Sequence, residues 1–100
     1  MKSIDAGQVA YFYADDKLVY LKTRQDERFL ISQTLERLER ELDPACFHRV
    51  NRKFIITHSA IREMHLYSKS RVKIDLSPAC PEECIVSVDR ASGFKQWLGN

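Results

Sequence analysis

The chain is short of the residues from which many functional sites are built, with only three glycines, three prolines and three cysteines among 100 residues. So few glycines leave no phosphate-cradling loop and little for a loop around a cofactor, and none is expected. There is no nucleophile elbow and no H-E-x-x-H helix, so the sequence carries no enzyme signature. An odd number of cysteines does not make a secreted disulfide framework, and reduced thiols fit a cytoplasmic protein. A zinc ribbon needs paired C-x₂-C knuckles. Here a single C-x₃-C, Cys80-Pro81-Glu82-Glu83-Cys84, stands with the distant Cys46 and three histidines, a poor spacing for zinc. Cys46, beside Phe47, is expected to be a small buried hydrophobe. No apolar run approaches the roughly 18 residues of a membrane span, and the polar start Met1-Lys2-Ser3-Ile4-Asp5 is not a signal peptide. Repeats, low-complexity tracts and internal linkers are absent. A length of 100 residues with 44% hydrophobic content then predicts one domain, 1–100, with a modest core.

What is present is mostly strand. Asp5-Ala6-Gly7-Gln8 reads as a single turn, and Val9, Tyr11 and Tyr13 alternate with Ala10, Phe12 and Ala14 as in a largely buried strand. Asp15-Asp16-Lys17 turns the chain into Leu18 to Thr23, and a polar link leads to Arg28 to Ile31, giving an antiparallel meander. The adjacent carboxylates of Asp15 and Asp16 suit a solvated turn, because paired catalytic acids must converge from separate elements. Leu35, Leu38 and Leu42 change the period to that of an amphipathic helix capped by Thr34 and ended by Asp43-Pro44. Its charged face is expected to be solvated, supported by a Glu36–Arg40 pair. Ile61 to Tyr67, Arg71 to Leu76 and Cys84 to Val88 predict three further strands, with Ser68-Lys69-Ser70 as a turn. In Arg71 to Leu76, Val72, Ile74 and Leu76 form the core face. Asp89 is expected to cap a final helix with Phe94, Trp97 and Leu98 as its apolar stripe. The fold class is therefore mainly β, with antiparallel strands in small packed sheets and two short helices at about 34–42 and 89–98.

One stretch stands apart. In Phe47-His48-Arg49-Val50-Asn51-Arg52-Lys53-Phe54-Ile55-Ile56-Thr57, apolar arms flank a polar centre, which predicts a protruding loop anchored at both ends. Asn can pair with adenine, Arg with guanine, and Lys needs only a phosphate, so the centre holds the side-chain chemistry of a DNA groove; an exposed β-turn without a partner has the same residue types. The overall charge of +2 is modest but uneven. Between Phe47 and Leu76, Arg49, Arg52, Lys53, Arg62, Lys69, Arg71 and Lys73 face only Glu63 and Asp75, so the central third favours an anionic partner; the alternative is a solvated face whose charges cancel in space against Glu36, Glu39, Glu41 and Asp43.

Phe47 to Ile56 resembles the signature of LytTR-type DNA-binding domains, in which F-x-R-[IV]-[HN]-R-x-[FY]-I-[IV] recurs. Val9 to Lys17 resembles the family's strand-and-turn opening, Leu35 to Pro44 its L-x-x-L-x-x-x-L-D-P helix, and Val86-Ser87 with Phe94 to Leu98 its C-terminus. The resemblance implies loops that enter DNA grooves in place of a recognition helix. It carries base reading to the Asp15–Lys17 region, to Asn51, Arg52 and Lys53, and to the Ser87–Arg90 region. Many members have Arg directly after that Ser, where this chain has Val88, with Arg90 the nearest basic residue. Such domains usually follow a receiver domain in two-component response regulators. The abrupt start fits an excised output module; a stand-alone protein is the alternative.

Residues and resemblance together predict a sequence-specific duplex-DNA-binding transcription regulator domain. Lys17, Arg49, Asn51, Arg52, Lys53, Lys69, Arg71 and Arg90 are its contact residues, with Arg52 the principal base reader. Asn51 is expected either to contact a neighbouring base or to hold the loop backbone. The expected partners are double-stranded DNA, a receiver domain in the full-length protein, and a second copy on repeated half-sites, with no membrane. The competing class is a β module for RNA or protein, in which Tyr11, Phe12, Tyr13, Tyr20 and Tyr67 would stack on single-stranded bases.

Overall fold

The computed structural model describes residues 4–67 and 71–99. Among these residues eight strands form two antiparallel sheets, with two α-helices. The first sheet has the order β3-β2-β1-β5-β4, from β1 (Val9–Asp15), β2 (Leu18–Thr23), β3 (Arg28–Ile31), β4 (Phe47–Arg49) and β5 (Phe54–Thr57). The second has the order β6-β7-β8, from β6 (Ile61–Tyr67), β7 (Arg71–Leu76) and β8 (Cys84–Ile85). The helices are α1 (Leu35–Glu41) and α2 (Ala91–Leu98).

The first sheet is covered on both faces, which explains why its inner strands are apolar at nearly every position. Phe12 and Ile55 meet Leu35 and Leu38 of α1 on one face. On the other, Tyr11, Tyr13, Phe54 and Ile56 meet Ile74 and Leu76 of β7 and Phe94 and Trp97 of α2. The simple alternation predicted for β1 breaks at its start. A bulge between Val9 and Tyr11 puts Ala10 and Tyr11 in the same core and sends Val9 to the other.

The meander β1-β2-β3 is as predicted, and the Asp5–Gln8 turn is a 3-10 turn at Ala6–Gln8. Thr34 caps α1, its hydroxyl accepting from the Arg37 amide at 3.1 Å. The Glu36–Arg40 pair is not formed: Arg37 pairs with Glu41 at 3.0 Å, and Glu36 turns instead to the buried Arg49 at 3.1 Å. Cys46 is exposed rather than buried, because the chain leaving α1 turns at Asp43, which accepts the Cys46 and Phe47 amides before β4 enters the core. In β7, Ile74 and Leu76 are buried as the alternation predicts, whereas β6 is an edge strand exposed along almost its whole length.

The last strand is shorter than predicted. After β8 the Val86 amide still reaches Val72, but the Ser87 amide turns away to the Val50 carbonyl at 3.0 Å. Val88–Arg90 then forms a 3-10 turn, so α2 begins at Ala91 and Asp89 does not cap it.

Candidate nucleic-acid interface

Three segments converge at one end of the first sheet. Tyr13 lies opposite Phe54, so the turn after β1 and the turn before β5 are neighbours, and the Ala14 amide donates to the Lys53 carbonyl at 2.9 Å. Ser87 donates to Val50 through its amide, which brings in the segment ahead of α2. The Asp15–Lys17, Asn51–Lys53 and Ser87–Arg90 segments are far apart in sequence and become one surface.

The middle segment is held from within. Val50 is fully buried, and its amide donates to the Phe54 carbonyl at 3.1 Å. The Asn51 side-chain oxygen accepts from the amides of Lys53 at 2.7 Å and Phe54 at 2.9 Å, and its amide nitrogen donates to the Ile85 carbonyl at 2.8 Å. Such side-chain-to-backbone bonding mimics a backbone turn, and here it also ties the loop to β8. Of the two roles expected for Asn51, the geometry realises the second, holding the loop backbone. Arg52 follows at the tip, exposed, its guanidinium making no hydrogen bond or ion pair with the described residues. Lys53 is exposed and reaches Glu82 at 3.3 Å.

Arg49 departs from its expected place at a phosphate. Its side chain is only 6% exposed, and its donors are engaged inside the protein. Nε donates to the Asn51 carbonyl and Nη2 to the Arg52 carbonyl, each at 3.0 Å. Nη2 also reaches Glu36 at 3.1 Å and Nη1 reaches Glu39 at 3.3 Å. The guanidinium is an internal clamp under the loop. Arg90 is also engaged: Nη1 donates to Glu39 at 2.6 Å and lies 3.4 Å from the Arg49 carbonyl. Burial raises the Glu39 carboxyl, but Arg90 and then Arg49 outweigh it and hold the group below its ordinary range. Glu36 is likewise held low, first by a backbone hydrogen bond and then by Arg49. A cleft of about 450 Å³, lined by Glu36, Arg49, Arg52, Ser87, Asp89 and Arg90, opens between the middle and last segments.

Lys17 is exposed in a turn where Asp16 and Lys17 both have positive φ, 50° and 69°, a conformation that costs non-glycine side chains energy. Arg71 is half-buried at the start of β7, its guanidinium 5.8 Å from the Tyr67 ring centre, and no hydrogen bond or ion pair joins it to the three segments. Lys69 and the Ser68–Ser70 turn lie outside the described residues. Val88, at the position where the resemblance expects Arg, is 72% exposed. The sequence reading named Glu36 and Glu39 as acids against which the central charges could cancel, which they do for Arg49 and Arg90, and gave them no role at the interface. Their spacing of three on a helix puts them on one face, the available signal, but nothing local shows that arginines from β4 and from the turn before α2 meet them.

Of the aromatics that could stack on single-stranded bases, Tyr11, Phe12 and Tyr13 are core residues. Cys80 and Cys84 line one cleft, where burial raises both thiols, Cys84 to about 12. The group among the described residues with atoms placed to share a metal ion is different: Glu63, His65 and Asp75 on the β6–β7 hairpin. Their ligand atoms lie within 4.8 Å of one another, and His65 and Asp75 already pair at 2.8 Å.

Trp97 of α2 stacks with two histidines, its ring centre 3.7 Å from that of His58 and 5.4 Å from that of His48. Burial, with help from the Arg90 charge, lowers His48 below its ordinary 6.5. A base whose folded pKa is depressed stabilises the fold fully above its unfolded value and loses that contribution as pH falls toward the folded one. Urea melts at stepped pH should therefore show wild type losing stability below about pH 6.5 faster than His48→Gln. Parallel curves would show that His48 does not titrate against the fold.

The sequence matches the LytTr DNA-binding domain family over residues 1–99. No curated protein matches it. Among solved structures, the fold is similar to the LytTr DNA-binding domain of a Bacillus cereus protein named as a response regulator. The TM-score is 0.81 and the identity 25%, over 97% of this chain and 86% of that one. Sequence signature, two-sheet architecture and converging loops agree, and the chain belongs to the LytTR family of DNA-binding domains.

Proposed function

We propose that the domain reads a specific duplex sequence as the output module of a transcription regulator, through the end of the first sheet where its three segments meet. The observation that carries this reading is the division of labour within Arg49-Val50-Asn51-Arg52. Arg49 and Asn51 are used up in holding the loop, and the Arg52 guanidinium at its tip bonds to none of the described residues. A rigidly presented guanidinium with unused donors suits bidentate contact with guanine O6 and N7. Lys17 and Lys53, at the same end, supply phosphate contacts that fix register, with Arg71 on the second sheet a further phosphate contact. Arg90 borders the cleft with part of its charge already neutralised, so its contribution to the phosphate field is smaller than that of Arg52. Val88, exposed at the position where the resemblance expects Arg, offers an apolar surface to a thymine methyl. The name of the Bacillus cereus relative, a response regulator, supports a two-component role; a receiver domain in the full-length protein and a second copy on repeated half-sites are the further partners that this reading proposes.

The test uses duplexes selected from a random library by the domain itself. Arg52→Ala should cost about 1 to 3 kcal/mol on the selected duplex, relax preference at one base pair and matter less on a scrambled duplex. Arg52→Lys should not restore the preference, because an ammonium cannot reproduce the planar fork. Equal losses on every sequence, or full rescue by lysine, would mean that Arg52 only neutralises phosphate.

A further inference from the structure

We infer that Glu39 is a positioning residue that sets the spacing between the two reading segments on either side of the cleft, making α1 part of the DNA-recognition apparatus without touching DNA. The inference rests on the proposed DNA reading and adds to it the source of the interface's rigidity.

The geometry is a shared carboxylate. One Glu39 oxygen takes Arg90 Nη1 at 2.6 Å, and the other takes Arg49 Nη1 at 3.3 Å and Arg90 Nη2 at 3.5 Å. Arg49 in turn holds the Asn51 and Arg52 carbonyls, so it governs where the loop tip sits. Arg90 belongs to the 3-10 turn that carries Val88. Glu39 is thus the link through which the middle and last segments are both referred to one helix. That helix is itself fixed by Leu35 and Leu38, buried against the first sheet. Charge-assisted bonds to both oxygens constrain direction as well as distance, whereas an exposed single pair does neither. A different arrangement, in which Glu39 only occupies Arg90 until a phosphate displaces it, would not need the second guanidinium, which is buried and turned toward the loop.

Glu36 provides the control. It lies one turn away on the same helix face and carries the same charge, but its ion pair is with Arg49 alone and it is 68% exposed. Glu39→Gln and Glu36→Gln therefore remove equal charge from nearly the same place, while only the first cuts the link to Arg90. A glutamine keeps the shape of Glu39 but puts an NH₂ donor where one oxygen accepted, so it cannot keep both the 2.6 Å bond to Arg90 Nη1 and the 3.3 Å bond to Arg49 Nη1, which lie on different oxygens.

Both variants should be compared with wild type in two measurements. In binding to the library-selected duplex and to a scrambled duplex of the same composition, Glu39→Gln should lower the ratio of affinities by about tenfold, the scale of one base-pair contact, and Glu36→Gln by about twofold or less. Binding to the scrambled duplex should not fall in either variant, since each loses a negative charge near DNA. In amide hydrogen exchange without DNA, Glu39→Gln should speed exchange at Lys53 and at Arg90, and Glu36→Gln at Lys53 alone. Equal changes in the two variants, a gain in discrimination on Glu39→Gln, or unchanged exchange at Arg90 would overturn the inference. If wild type shows no preference between duplexes, the DNA reading fails, and the exchange data alone still decide whether Glu39 couples the two segments.

Discussion

Phe54→Ala is expected to lower stability by about 3 to 5 kcal/mol, a drop of roughly 15 to 30 °C in melting temperature for a domain of this size. Phe54 is fully buried where β5 meets the second sheet and α2. Its ring lies 6.1 Å from those of both Tyr11 and Tyr13, nearly parallel to the latter. Truncation leaves a cavity between a central strand, β7 and the last helix, three elements that cannot all collapse toward it. The neighbouring Lys53→Ala should change stability by no more than about 0.5 kcal/mol, because its one ion pair is exposed. The two substitutions, adjacent in sequence, should separate framework from surface in a single pair of thermal melts. A larger loss on Lys53→Ala than on Phe54→Ala would mean that the apolar arms do not anchor the loop.

That contrast also shows where the sequence is informative. Phe54-Ile55-Ile56 is recognisable as an apolar arm, and the polar centre between it and Phe47 as a loop, from local pattern alone; that the arm is a strand buried at every position is seen only in the structure. The pairing of β1 with β5 is a contact between distant segments, and nothing near either strand specifies it. Arg49 and Arg52 illustrate the limit more sharply. They are the same residue type three positions apart, with equal claims on a phosphate, and only burial separates an internal clamp from a free guanidinium. The acids of α1 look like a solvated face because their partners come from other elements. The end of β8 is hidden from the sequence for a related reason. Val86-Ser87-Val88 has strand composition, but the Ser87 amide finds the Val50 carbonyl rather than a continuing ladder.

Arg49→Ala should be as damaging to the interface as Phe54→Ala is to the core, by a different route. It removes hydrogen bonds to two loop carbonyls and leaves Glu39 with Arg90 alone. Carbonyls that lose a charged donor in a part-buried site, offset in part by water entering the cleft, predict a stability loss of about 2 to 4 kcal/mol. Sequence preference should collapse with it, since Arg52 is then presented by a loosened loop. Arg49→Lys should recover only part of the loss, because one ammonium cannot span two carbonyls and two carboxylates. Acid sensitivity supplies an independent readout. Glu36 and Glu39 are held below their ordinary 4.5 in the fold. A depressed carboxyl stabilises the fold above its unfolded value, and that contribution is lost as pH falls through the folded one. Wild type should therefore lose stability on acidification from about pH 5 downward, and Arg49→Ala should show a flatter acid limb, its carboxyls having lost one cause of the depression. Arg52→Ala gives the reference, with a wild-type melt and a wild-type acid limb but impaired binding. If Arg49→Ala instead melted like wild type and only reduced the salt dependence of DNA binding, Arg49 would be a phosphate ligand after all, and the clamp would have to be sought in Asn51.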